Sequence, residues 1–577
     1  MHPIPEFHLP WEHDGCERSI HTATSEQLEL SESRCNAPCV YETLTEPTIN
    51  ATHDLFPHMA KTFSNQPAFI AEQRGIIRNI AQRDDPLLTL EHHKAFDTLH
   101  RNYKAINDDT GFRSKFGFID FDRIAFLNEI PVVMVMLVMY NVGSPLFSLM
   151  SPLIGALLAY MLILIRGKQV SLSDFLHVLG QRLRWLLDVK KLFSPDAAFY
   201  TRIKVVLTAA LYCFSIYQNI RSCRSFIRNY STVSDTFSAL ATTTHAVTQS
   251  IQHIAFTCAD QTNEGQSNRL LEYWLHAGTM VSPAMQIVSH MRPHLPLTIT
   301  NPTTVPLALR LFYKFKHCAS LRASINWVLG VGGICDIYDG LARGWRSGRL
   351  GAYLCASEFD SAFARNLYHP VLGPESVRNS LTLRQSMVLT GRNGSGKTTL
   401  AKSLAISCII GSQFGLAPAK KIQMPPLSTI RCELNIPDTN ERDSLFEAEA
   451  RRCLELIDSI EEEPDAFHLC IFDELFSGTN ADEALQAATG VLTNLSESYK
   501  VRFMVTTHMH ALGERLGTDI SQSLTMSTQD GRPTHRAETG VTATSGARDT
   551  LVRIGFTDQQ LGASDNTQPG PDAQIRS

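Results

Sequence analysis

The chain has 577 residues, of which 44% are hydrophobic and 19% charged, with a net charge of −5. It is too long for one core and too apolar to stay unfolded, so roughly two to four domains are expected. A slightly acidic chain is not held to nucleic acid by its overall charge, so any such contact needs a local basic patch. The 13 cysteines are scattered, and Cys35 and Cys39 lack the second pair that would complete a metal site. Reduced thiols in a reducing compartment are the expectation.

Residues 1–60 are rich in Pro, Ser, Thr, Glu and His without sustained periodicity. They read as a disordered or loosely attached segment. The opening residues show no basic stretch followed by an apolar one, so no secretory signal is expected. Over 61–125 a helical spacing emerges, carried by Leu87, Leu88, Leu90, Phe96, Leu99 and Tyr103.

Residues 126–166 stand apart, because no charge occurs between Glu129 and Arg166. Two apolar runs, Ile130 to Val142 and Phe147 to Ile165, flank the turn signal Asn141-Val-Gly-Ser-Pro145. The second run is long enough to cross a bilayer as a helix, and neither shows the polar face of a soluble core helix. A transmembrane hairpin is expected here, with one span plus a re-entrant piece, or a buried helical pair, as the rivals. The stretch from Lys168 to Arg228 is strongly basic. Beside a span, that marks the cytosolic (or nucleoplasmic) side, the side where the downstream nucleotide motif would then lie. Binding to a nucleic acid backbone is the rival reading of this run. Residues 167–360 read as an all-helical core, in which Val205 to Ile220 is expected to be a buried helix.

Residues 361–556 carry the chemistry. The apolar run Met387-Val-Leu389 leads into Gly391-Arg-Asn393-Gly394-Ser395-Gly396-Lys397-Thr398, and a helical pattern follows from Thr399. Strand, glycine-rich loop and helix in that order form a phosphate cradle. The loop backbone turns its N–H groups inward, Lys397 adds positive charge at the β- and γ-phosphates, and Thr398 offers a hydroxyl to Mg2+. A second apolar run, Phe467 to Phe472, ends in Asp473-Glu474. Asp473 would hold the Mg2+ shell and Glu474 would deprotonate the attacking water. A third strand, Val501 to Thr506, ends in Thr507-His508-Met-His510. A histidine at the C-terminal end of a parallel strand sits where such sheets place ligands, so His508 could sense the γ-phosphate or the water. ATP and Mg2+ are the expected ligands, and Glu474, His508 and Lys397 the expected catalytic groups. The tail 557–577 is polar and is expected to be disordered.

Taken together, Gly391-Arg-Asn393-x-x-Gly-Lys-Thr398-Thr399, Asp473-Glu-Leu-Phe-Ser-Gly478-Thr-Asn and Thr507-His508-x-His510 resemble the MutS family of ATPases, a branch of the ABC superfamily. His369-Pro-Val, Asn379-Ser-Leu, Gly415-Leu-Ala-Pro, Ser444-Leu-Phe-Glu-Ala-Glu449 and Asp336-Ile-Tyr-Asp extend the similarity. The resemblance implies an α/β P-loop ATPase domain that pairs with a second copy, so that Ser444 approaches the nucleotide of the partner chain. It also implies mismatched-DNA binding and DNA repair. The sequence departs from the family at Tyr368, Arg392, Gly394-Ser395 and Ser376-Val377, and residues 1–110 hold no Phe-x-Glu mismatch-reading motif. Two readings follow: a homodimeric MutS-like ATPase acting on DNA, and a membrane-anchored ATP-driven scaffold that does not read mismatches. An ABC transporter subunit is disfavoured, because the Leu-Ser-Gly-Gly-Gln signature is missing.

Overall fold

The computed structural model describes residues 7–13, 15, 17–34, 37–166, 171, 173–178, 180, 199–260, 269–298, 301, 303–434, 445–529 and 532–540. They form two compact units, each assembled from separated stretches. A helical unit draws on Leu90–Gln249 and Gly278–Gly332, with Phe7 added; an α/β unit draws on His8–Thr89, Ser250–Ala277 and from Gly333 onward. The sequence boundaries near 60 and 360 therefore do not separate folding units. Residues 61–89 and the stretch from Gly333 to 360 belong with the α/β unit.

The N-terminal segment is the first correction. The expected loose stretch folds as α1 (Thr22–Gln27), α2 (Val40–Thr45), α3 (Asn50–His53) and α4 (Phe56–Met59), and β1 (Glu17–Ser19) pairs antiparallel with β2 (Thr62–Ser64). Long-range polar contacts hold these short pieces. Thr24 Oγ1 accepts from the Cys432 amide at 3.0 Å and Gln27 Oε1 from the Leu434 amide at 3.0 Å. The buried Asp336 carboxylate takes the Thr48 amide at 2.9 Å, the Ile49 amide at 3.2 Å and the Thr52 hydroxyl at 2.7 Å. Asp339 takes the Leu87 and Leu88 amides, just beyond α5 (Pro67–Gln82), and burial raises its pKa. Such bonds satisfy buried backbone groups that no local ladder reaches.

The helical unit contains α6 (Leu90–Asp108), α7 (Phe112–Lys115), α8 (Pro131–Ile165), α9 (Phe199–Asp260) up to Gln249, the end of α10 (Arg269–Met291), α11 (Thr304–His317) and the start of α12 (Ala319–Arg346). Its core is aromatic: Phe112, Phe116, Phe237 and Phe315 pack around Phe312 with ring centroids 4.9–6.4 Å apart.

The hairpin expected within 126–166 is the second correction. α8 runs through Asn141–Pro145 without a turn, 35 residues in one helix. Pro145 cannot donate to the Asn141 carbonyl, and the Ser144 hydroxyl takes that carbonyl instead at 3.4 Å. Among the described residues one helix is long and apolar enough to cross a membrane, Pro131–Met150, and 11% of that stretch is buried. The expected core helix Val205–Ile220 is likewise exposed, with Leu211 at 59% and Tyr217 at 61%.

The α/β unit holds two sheets. Five strands, β3 (Gly351–Cys355), β4 (Phe363–Leu367), β5 (Asn379–Thr382), β7 (Leu416–Ala417) and β8 (Lys421–Met424), form a mostly antiparallel sheet in the order β5-β4-β8-β3-β7. The larger sheet contains β6 (Ser386–Thr390), β9 (Leu427–Glu433), β10 (Phe467–Asp473), β11 (Val501–Thr507), β12 (Ser521–Gln529) and β13 (Arg532–Thr539), in the order β13-β12-β6-β11-β10-β9. Its strands are parallel apart from β13. α13 (Lys397–Phe414) packs against strands of both sheets and is buried over nearly all its length. α14 (Leu445–Glu461), α15 (Ala481–Ser496) and α16 (Ala511–Leu516) complete the unit, and all three contribute to one apolar cluster with β10 and β11. The tail 557–577 lies outside the described residues.

Candidate active site

β6, β10 and β11 are neighbours in the large sheet, so their C-terminal ends open on one place. After β6 the chain wraps through Gly391, Gly394 and Gly396, all at positive φ (151°, 72° and 97°), and then starts α13 at Lys397. Only glycine takes these angles without strain. The loop from Asn393 through Thr399 lines a cavity of about 520 Å3, which Glu474 and His535 also reach.

Lys397 turns back onto the loop. Its Nζ donates to the Gly391 carbonyl at 2.9 Å and the Arg392 carbonyl at 3.3 Å. Burial holds the Lys397 pKa below the ordinary lysine range, opposed by the charges of Glu474 and Asp473. Thr398 Oγ1 donates to the Asp473 carboxylate at 2.9–3.0 Å, and Thr506 from β11 holds the same carboxylate. The buried Ser395 hydroxyl has no protein partner.

Glu474 sits one residue beyond β10 in the left-handed region, φ 57°. That conformation costs a non-glycine residue about 1 kcal/mol. The Glu474 amide bonds to the Thr506 carbonyl at 2.9 Å and fixes the turn. The carboxylate so presented lies 2.8 Å from His508 Nε2, with both side chains about two-fifths exposed. The same ring nitrogen is 3.4 Å from Lys397 Nζ. It donates to Glu474 in one tautomer and accepts from Lys397 in the other. A few residues on, the Glu474 loop packs closely on the start of α14. A Cβ at Gly478 would lie 2.9 Å from Leu445 and from the Phe446 amide, so a side chain there has no room.

The structure thus brings together Gly391, Asn393, Gly394, Ser395, Gly396, Lys397, Thr398, Thr399, Asp473, Glu474 and His508. Ser444 lies outside the described residues. One member of the site, His535, had no local signal in the sequence, and Asn379 was named only within the family resemblance. His535, on polar β13, lines the cavity at φ 58° with Nδ1 3.0 Å from the Ser395 carbonyl. Asn379 fixes it: its Nδ2 donates to the His535 carbonyl at 3.0 Å, and its Oδ1 accepts the Ala537 amide at 2.8 Å. The far wall is Tyr368, Leu372 and Val377. The Tyr368 ring is covered by the Arg378 guanidinium at 5.1 Å.

Residues 387–538 match the family model described as MutS domain V. The chain is 27% identical over 220 residues to "Endonuclease MutS2" of Clostridium novyi, an alignment covering 36% of this chain and 27% of that protein. It is 30% identical over 149 residues to "Endonuclease MutS2" of Thermus thermophilus, covering 25% and 19%. To "DNA mismatch repair protein MutS" of Treponema denticola it is 27% identical over 151 residues, covering 26% and 16%. The matched part thus spans under a third of the length of these curated relatives.

Proposed function

We propose that the part of the chain similar to MutS domain V is an ATPase domain, and that the protein binds and hydrolyses ATP with Mg2+ as a homodimer that acts on DNA. The observation that supports this most is the convergence of Lys397, the Thr398–Asp473 pair and the Glu474–His508 pair on one phosphate-sized loop. Hard oxygens on Thr398 and Asp473 suit Mg2+, which when bound supplies charge neutralisation at the β- and γ-phosphate oxygens. The unpartnered Ser395 hydroxyl and the inward-turned loop fit a phosphate equally well.

In this reading Lys397 leaves the Gly391 and Arg392 carbonyls and moves onto the phosphates, regaining a charge partner in place of two dipoles. Glu474 takes the attacking water on the carboxylate oxygen that His508 leaves free and accepts its proton, while His508 holds the other oxygen in line. The family resemblance assigns Ser444 to the nucleotide of the second copy. DNA mismatch repair comes to this chain only through the names of its relatives.

A second reading, a membrane-tethered ATP-driven scaffold that does not read mismatches, is favoured by the exposed apolar surface of α8 and α9. The two are separated by measuring ATP turnover of the full chain with no DNA, perfect duplex and mismatched duplex at physiological salt. A mismatch-dependent rise supports the repair reading. Turnover unmoved by either duplex favours the scaffold, and no turnover at all sinks both.

A further inference from the structure

α8 and the first part of α9 are turned inside out relative to a soluble helix pair. Their polar groups face each other. Ser148 Oγ lies 3.2 Å from Ser215 Oγ, the Tyr212 hydroxyl donates to the Leu149 carbonyl at 2.7 Å, and Cys223 Sγ donates to the Val142 carbonyl at 3.5 Å. These contacts set the helices antiparallel. Their apolar side chains point out: Leu146, Phe147, Leu157, Leu158 and Leu162 on α8 are 51–61% exposed, and Leu207, Leu211 and Phe214 on α9 are 56–59% exposed. On α8 these positions spread over an arc of roughly 160°, a face broader than the stripe one partner helix covers.

We infer that this helix pair is inserted in a lipid bilayer. Three features fix the occupant as lipid rather than a second protein surface. First, α8 has no Asp, Glu, Lys or Arg anywhere along it, and α9 has none between Lys204 and Arg221. Secondly, the exposed residues Arg221, Arg224 and Arg228 bound this zone on one side, and Arg166 at the end of α8 bounds it on the other. The contact at Val142 and Cys223 puts Arg221 level with the middle of α8. From Gly143 to Ile165 α8 then rises ~34 Å between the two basic rims. A hydrocarbon core is ~30 Å thick, and headgroup-level arginines are the usual boundary of one. Thirdly, polar side chains satisfied between the helices, with apolar ones outward, are what a solvent without hydrogen-bonding capacity selects. Beyond Arg221, Phe226, Tyr230 and Val233 of α9 are buried in the helical unit, so the pair leaves the folded unit where this zone starts. Two crossings return the chain to the side it left. The spanning hairpin is thus α8 with α9, not the two halves of 126–166. The inference stands whether or not the ATPase acts on DNA.

The test uses the full chain. Purified in detergent, it is reconstituted with phosphatidylcholine/phosphatidylglycerol vesicles (7:3), floated on a density gradient, and washed with alkaline carbonate. The expected result is co-flotation that survives the wash. Leu158→Asp combined with Leu211→Asp is expected to lower the floated fraction at least tenfold, while ATP binding at Lys397 stays within twofold and shows the chain folded. Double variants at Glu447 and Glu455, exposed on α14, are expected to float as the parent does. The inference is overturned if the parent chain is a monodisperse soluble monomer or dimer without detergent. It is also overturned if the aspartate variant floats like the parent.

Discussion

Two apolar stretches of this chain meet opposite ends. Met387–Leu389 in β6 is at most 1% exposed, paired with β11 on one side and β12 on the other. The Pro131–Met150 stretch of α8, uncharged throughout, is 11% buried although it touches both α9 and α11. Hydropathy says which side chains should leave water. It does not say whether protein or another medium receives them; the neighbouring elements decide that.

Lys397→Ala should have the largest effect. If burial around β6 serves the phosphate loop, this change should weaken nucleotide binding ~10²–10³-fold, read by fluorescent-nucleotide titration, and leave the melting temperature of the apo protein nearly unchanged. Next comes packing itself. Leu389→Ala should cost ~2–5 kcal/mol by chemical denaturation, because the cavity it leaves is closed in on all sides. Asp336→Ala should cost ~2–3 kcal/mol, because four donors on Thr48, Ile49 and Thr52 would lose a buried acceptor. It should also expose residues 8–60 to protease before the sheet.

Acid probes the same interior. Burial, aided by the Lys402 charge and opposed by Glu29, pushes His369 down to about 4, and its Nδ1 has no partner. Between about pH 6.5 and 4 the unfolded chain therefore takes up a proton that the folded one refuses. Stability should fall by roughly 2–3 kcal/mol as pH falls through that window, and His369→Gln should flatten this part of the profile. The smallest effect is the contrasting one. Leu158→Ala, the same chemistry as Leu389→Ala but on the exposed face of α8, should change folding stability by under about 0.5 kcal/mol. A cost near that of Leu389→Ala would mean α8 is covered by protein.

The nucleotide loop and the strands on either side of its chemistry were legible because their signals are local. Glycines precede Lys397, apolar runs end at Asp473 and Thr507, and a parallel sheet gathers those ends. The N-terminal segment was not legible. Its helices are six residues or fewer, and its anchors are single side chains such as Asp336 and Thr24, bonded to backbone hundreds of residues away. At Asn141–Pro145 a turn signal was overruled, because Ser144 satisfies the carbonyl that Pro145 leaves free and α9 packs alongside. His535 was invisible for another reason: a polar strand has no pattern until Asn379 shows what it is tied to.

Glu474, held in a left-handed turn against His508, is the proposed base for ATP hydrolysis. Single-turnover hydrolysis and nucleotide affinity measured side by side on Glu474→Gln test it most directly. Affinity should stay within a few-fold of the parent while the hydrolysis rate falls ~10²–10⁴-fold. Hydrolysis at the parent rate, with the nucleotide bound, would contradict it.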